Sequence, residues 1–281
     1  SGLIVDQFQI ASQVFDLCVD GPTLYVLSYQ KLSVVPLDAP VFGEAAFINM
    51  PSGWSTSSYR SRVYAAAGTA YVTQRTGYIT YDVTNRLAPA LLNNANSSGQ
   101  FGWKQIVLNG SGLGVCAVGN NSGPDGGIAL YKTSDPLINN DFVASFVTPG
   151  VARAVTLYNG LAYIASYYDG LTVLNYLPYD TQRQPPSLSY RASNLGGKVE
   201  SNGQVFVEVD ARDDVQVRNV TLLVDGNAVA RDGSYPFQFY FNAPSITLQP
   251  TVTINVVATD TGGNSTNGLP QTFTIVPDIT P

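Results

Sequence analysis

At 281 residues the chain is long enough for two domains, each with its own core. Its net charge of −6, without any Lys/Arg cluster, excludes a phosphate-binding surface for nucleic acid. The complete absence of His excludes a Ser–His–Asp triad, a Cys–His dyad and any His-ligated metal within this chain.

The opening Ser1-Gly2-Leu3-Ile4-Val5-Asp6 has neither a basic n-region nor an apolar h-region, so the chain is expected to be a mature or excised segment. Charged residues make up only 12% of it, about half the usual share. Surface polarity must then come from Ser, Thr, Asn, Gln and Tyr, as in many secreted β proteins, and an extracellular or cell-surface location is expected. No run approaches about 18 uninterrupted apolar residues, so no membrane-spanning helix is expected.

Residues 1–184 carry a repeat: a turn, a short strand, another turn and a second apolar strand. It reads Asp20-Gly21-Pro22-Thr23-Leu24-Tyr25-Val26 then Leu32 to Leu37, and Gly68-Thr69-Ala70-Tyr71-Val72 then Gly77 to Val83. A looser copy runs Gly112 to Val118 then Gly127 to Tyr131, and a clear one Asn159 to Ala165 then Asp169 to Leu174. A further strand precedes the turn, as in Val14 to Val19 and Ala154 to Tyr158. Taking Tyr25, Tyr71, Gly114 and Tyr163 as equivalents gives spacings of 46, 43 and 49 residues, the size of one four-stranded blade of a β-propeller. The pattern Gly-x-Ala-Tyr-Val, then Gly-Leu-x-Val-x-Asp, resembles the LVIVD-type propeller repeat of bacterial and archaeal surface proteins. Its nearest matches are Gly68 to Val83 and Gly160 to Leu174. About four repeats are visible, few for a propeller, so the ring is expected to be small, open or completed elsewhere.

Pro185-Pro186 marks a boundary, and 185–281 is expected to form a second domain. Here Val205, Val207 and Val209 alternate with polar or outward positions, as do Val220, Leu222 and Val224, then Val252, Ile254 and Val256, then Phe273 and Ile275. Such period-two alternation over about seven short strands predicts an antiparallel β-sandwich. The segments Asp213 to Gly226, Tyr235 to Phe239 and Ala258 to Asn264 resemble a bacterial Ig-like domain. Cys and Trp are both missing from 186–281, which sets it apart from antibody-type domains. The resemblance implies a spacer or adhesion unit. Pro277 to Pro281 reads as a linker.

Few residues offer chemistry. The first half has a single Glu, Glu44, so the paired carboxylates of a glycosidase are not in view. Arg60, Arg62 and Arg75 with Tyr59 and Tyr64 only loosely suggest an arginine cluster with a tyrosine nucleophile. Asp210, Asp213, Asp214 and Asp260, with Asn264, cluster at predicted strand ends and are the candidates for calcium, which takes several oxygen ligands without rigid geometry; the competing reading is turn capping. Tyr167-Tyr168, Tyr176 and Tyr179 are candidates for an exposed aromatic surface that stacks sugars or anchors a protein. Sequons for N-glycosylation occur at Asn96, Asn109, Asn120, Asn219 and Asn264. Cys18 and Cys116 are read either as a disulfide or as two small buried hydrophobes.

The sequence is therefore expected to be an all-β, non-catalytic, extracellular structural or adhesive protein. Its expected partners are other extracellular proteins or glycans, or further copies of itself as a subunit of a surface layer or filament. The alternative is the accessory region of a secreted polysaccharide-degrading enzyme.

Overall fold

A computed structural model describes residues 6–10, 12–54, 61–95, 102–119, 126–194 and 196–278. Asn96, Asn120, Tyr59 and Arg60 lie outside the described residues. The chain divides into two units, one of residues 1–108, 112–156 and 162–174, the other of 175–281 with the short stretches 109–111 and 157–161.

The first unit is a series of antiparallel sheets with strands in sequence order. Sheet one holds β1 (Val14–Asp20), β2 (Thr23–Ser28), β3 (Lys31–Pro36) and β4 (Ala46–Asn49). Sheet two holds β5 (Val63–Ala66), β6 (Thr69–Gln74), β7 (Gly77–Asp82) and β8 (Ala90–Asn93). Sheet three holds β9 (Gln105–Leu108), β10 (Leu113–Val118), β11 (Gly127–Lys132) and β12 (Phe142–Val147). Sheet four has three strands, β13 (Ala154–Tyr158), β14 (Leu161–Ala165) and β15 (Leu171–Leu174). The same bond closes the first three: Leu37 N–H donates to Pro22 O at 2.8 Å, Val83 to Gly68 at 2.9 Å and Thr133 to Gly112 at 2.8 Å. The β5–β6 hairpin turns at Ala67-Gly68 with φ of 49° and 77°, the two left-handed residues that suit the twist of a two-residue hairpin.

These equivalent bonds align Tyr25 and Tyr71 with Val115, the third residue of β10. Gly114, the expected equivalent, sits one residue early and points to the opposite face. β10 is apolar and buried on both faces, so its sequence has no alternation to fix the register.

Registers sort each sheet into two faces. Cys18, Tyr25 and Val34 lie across from one another, as do Asp16, Leu27 and Leu32. This rear face packs on the front of sheet two, Val63, Val72, Ile79, Ala65, Ala70 and Tyr81. The rear of sheet two meets sheet three through an aromatic cluster in which Trp103 lies 4.9 Å from Tyr131 and 5.6 Å from Tyr78. Ring pairs of this kind add about 0.5–1.5 kcal/mol each beyond their buried area. The rear of sheet three meets sheet four, where Gln105 Oε1 accepts the Val155 N–H at 3.0 Å. Sheets therefore stack front to rear at three successive junctions.

The second unit is a β-sandwich. One sheet has order β16 (Ser187–Ala192), β18 (Gln204–Arg212), β21 (Phe237–Asn242). The other has order β17 (Lys198–Glu200), β24 (Gln271–Val276), β22 (Thr251–Asp260), β19 (Val217–Val224), β20 (Asn227–Asp232), with β23 (Ser265–Asn267) on β22. The described residues thus hold nine strands where about seven were expected; the extra ones include the three-residue β17 and β23. Val205, Val207, Val209, Val220, Leu222, Val252, Ile254, Val256, Phe273 and Ile275 are buried in one core with Phe237 and Phe239. The period-two pattern turned these side chains inward as the sequence required.

Candidate functional site

The first candidate is an aromatic turn in the first unit. Between β14 and β15 the chain makes a 3-10 turn over Tyr167–Asp169. The buried Ser166 anchors it: its N–H donates to Gly170 O at 2.7 Å, its carbonyl accepts from Asp169 N–H at 3.0 Å, and its Oγ lies 2.7 Å from Thr172 Oγ1. Gly150 fits beneath, where a Cβ would strike Ser166 O and the Asp169 carboxylate. Tyr167 takes a left-handed φ of 50°, a conformation costing a bulky residue about 1 kcal/mol or more. The result is an exposed pair of rings with centroids 3.9 Å apart, Tyr168 being 88% exposed. The Arg153 guanidinium lies 4.2 Å from the Tyr167 centroid and braces it by cation–π attraction. Of the other expected surface tyrosines, Tyr179 is exposed, whereas Tyr176 is buried in the second unit, donating to Gln216 Oε1 at 2.9 Å.

The second candidate is the acidic group of the sandwich. The structure separates its expected members. Asp210 pairs with Arg212 at 3.0 Å, and Asp214 is exposed. Asp213 Oδ2 accepts the N–H groups of Val215 and Gln216 at 3.0 and 2.9 Å. Burial pushes the Asp213 carboxyl above the usual carboxylate range; those two N–H donors pull it down, and the nearby Asp260 and Asp214 charges raise it further. Asp260 is fully buried at the end of β22, and its Oδ1 accepts the Asn264 N–H at 2.8 Å. The residue that sequence reasoning missed is Asp180. The Asn264 amide donates to both Asp260 Oδ2 at 2.8 Å and Asp180 Oδ2 at 3.1 Å, bridging two buried carboxylates. Asp180 Oδ1 in turn accepts from Gln182 and Arg183 N–H at 3.0 and 2.9 Å. Among the described residues no group of three His, Cys, Asp or Glu side chains is placed to hold a metal ion. The calcium reading of Asp210, Asp213, Asp214 and Asp260 stands as a proposal: Arg212 pairs with Asp210, and turn N–H groups bond Asp213 Oδ2 and Asp260 Oδ1, while Asp213 Oδ1 is buried without a hydrogen bond.

The remaining candidates are placed as follows. Asn109 and Asn219 are buried, and the Asn264 amide that would carry a glycan is the bridging group just described. Arg62 pairs with Asp16 at 3.4 Å. Cys18 and Cys116 are both free thiols, so the disulfide alternative falls. Cys116 is fully buried, and burial pushes its thiol well above the ordinary range. Cys18 is pushed up to about 11, chiefly by burial, while its Sγ accepts the Ala65 N–H at 3.2 Å. A shallow cleft of ≈ 270 Å³ in the sandwich is lined by Asn194, Lys198, Glu200 and Gln204 among others.

Residues 186–256 match the model of a bacterial Ig domain. A search of curated proteins finds no match. Among solved structures, the chain is similar to the computationally designed Ika4 protein, at 8% identity over 62% of this chain and 98% of that one, with a TM-score of 0.43. It is similar to the extracellular domain of a protein assigned to a hybrid two-component system of B. thetaiotaomicron, at 13% identity over 99% of this chain and 41% of that one, with a TM-score of 0.43. It is also similar to PorZ, a bacterial surface component of the type-IX secretion system of Porphyromonas gingivalis, at 12% identity over 90% of this chain and 37% of that one, with a TM-score of 0.36. The chain spans less than half the length of these two surface proteins.

Proposed function

We propose that this chain is a non-catalytic extracellular module in which propeller-type blades form a recognition and packing unit carried by an Ig-like spacer. The observation that carries the reading is the match of residues 186–256 to a bacterial Ig domain, joined to a stack of repeated sheets. Four successive sheets of sequence-ordered strands, with β1 against β5 and β5 against β9, support the assignment as blades. The composition supports a non-catalytic role: no His, and one Glu in the first 190 residues. No helix among the described residues is long and apolar enough to cross a membrane. The test is an activity screen on polysaccharide, ester and peptide substrates. No turnover is expected; turnover abolished by a point substitution in this chain overturns the reading.

A second reading, the accessory region of a polysaccharide-degrading enzyme, is favoured by the Tyr167-Tyr168 turn, since exposed rings stack on sugar faces. A glycan array separates the two. Binding lost in Tyr168→Ala supports the accessory role, and an array without signal leaves the adhesive one.

A further inference from the structure

Hydrogen bonds between neighbouring sheets of the first unit join strand starts to strand starts. Asp16 Oδ2 accepts the Val63 N–H at 3.0 Å and Cys18 Sγ the Ala65 N–H at 3.2 Å, so β1 and β5 run side by side in one direction. Thr73 Oγ1, at the end of β6, donates to Lys104 O just before β9 at 3.2 Å. Gln105 Oε1 at the start of β9 accepts from Val155 at the start of β13. The starts of β1, β5, β9 and β13 therefore lie along one rim. Antiparallel order brings the β2–β3, β6–β7 and β14–β15 turns back to that rim.

The two rims differ in rings and in charge. The first carries Tyr29, 57% exposed, with ring centroids 6.3 Å from Phe15 and 6.2 Å from Trp54. It also carries Tyr167 and Tyr168, with Arg62 and Arg153 directly before β5 and β13 and Arg75 in the β6–β7 turn. Arg75 is exposed and takes part in no ion pair among the described residues. Asp16 is engaged by Arg62 and Val63, and the Asp169 carboxylate lies against Gly150. The opposite rim holds Asp20, Asp38, Asp82, Asp135 and Asp141 against Arg86 and Lys132, which pair with Asp38 and Asp141. A chain of net charge −6 thus sets exposed rings and arginines on one rim and turn aspartates on the other.

We propose that the ring-bearing rim binds an acidic glycan, a chain of uronic acids. A sugar ring presents an apolar face that stacks on tyrosine, and a guanidinium takes a carboxylate through two N–H groups. The aspartate rim repels such a chain, which fixes the side that it approaches. That a glycan binds here at all rests on the Tyr167-Tyr168 reading above; its acidity is carried by the arginines.

Titration calorimetry of the full chain with polygalacturonate and with its methyl ester tests this, since the two polymers share one backbone and differ in charge. Polygalacturonate is expected to bind, and the methyl ester to bind about tenfold more weakly, the scale of one charge-assisted pair. Tyr168→Ala and Arg75→Gln should each weaken polygalacturonate binding by about tenfold. Both positions are exposed, and circular dichroism checks that the variants fold, with Tyr168→Ser and Arg75→Ser as substitutes. Equal affinity for the methyl ester overturns the acidic ligand and leaves the glycan reading standing. Polygalacturonate binding that Tyr168→Ala does not weaken, or polyglutamate binding of the same strength, overturns a sugar site and leaves charge alone. Binding of neither sugar polymer overturns the proposal, and the glycan array then decides whether the reading beneath it falls too.

Discussion

Asp16 Oδ2 accepts the backbone N–H of Val63 at 3.0 Å, so a side chain in β1 closes an otherwise open donor on the first strand of the next sheet. Gln105 does the same for Val155 one junction later but one, at 3.0 Å. Asp16→Ala should cost about 1–2 kcal/mol in urea unfolding, because it strands a partly buried N–H. Asp16→Asn keeps an acceptor and should cost less. Equal stability of both variants to the wild type would show that the bond contributes nothing.

Asn264 is expected to matter more than its place in an exposed turn suggests. Asn264→Ala removes the donor shared by the buried Asp180 and Asp260 carboxylates and should cost about 2–3 kcal/mol. Asn264→Asp should be worse still, because a carboxylate only accepts where the shared donor stood. Thermal melts at pH 7 rank the two variants against the wild type.

Asp213 carries a pH dependence of defined sign. Its folded-state carboxyl titrates above the ordinary range, mainly through burial, so folding disfavours the ionised form. Its contribution is fully present below the unfolded pKa and is lost as the pH rises through the raised folded value. Asp213→Asn, which still accepts from Val215 and Gln216, should therefore stabilise the chain at pH 7. The gain is on the order of a few tenths of a kcal/mol, since solvent screens the group. It should vanish near pH 3; a gain that is constant with pH would contradict this.

The thiols should be nearly inert. Cys18, raised to about 11, and the fully buried Cys116 both hold their protons at neutral pH, and the thiolate is the reactive form. Native chain is expected to react slowly with an alkylating reagent at pH 7.5, and denatured chain to take up two equivalents. Rapid labelling of Cys116 in the native state would show that its surroundings open.

The sandwich was legible because β18 and β22 alternate strictly, and alternation decides both strand and facing. The repeat strands were legible from their Gly turns and Tyr-centred triplets. Their register was legible only where one face differs from the other. β10 is apolar on both, so spacing alone does not separate Gly114 from Val115. The Asp180–Asn264 bridge spans 84 positions and joins a polar stretch to a Thr-Gly-Gly-Asn turn. Its only local sign is that Asp180 precedes Gln182 and Arg183 in a way that suits an Asx turn. The carboxylates at 210, 213, 214 and 260 are close in sequence or expected topology, yet Arg212 pairs with Asp210 and backbone donors bond Asp213 Oδ2 and Asp260 Oδ1, which spacing alone does not reveal.

A spacer that carries a recognition unit must fold without it. Far-UV circular dichroism of residues 175–281 during urea unfolding tests this most directly, because the fragment keeps Tyr176 and Asp180 with the sandwich core. One cooperative transition is expected, with a shorter 187–281 fragment unfolding at lower urea after losing the Tyr176–Gln216 and Asp180–Asn264 bonds. A 175–281 fragment that shows no cooperative transition would contradict the claim.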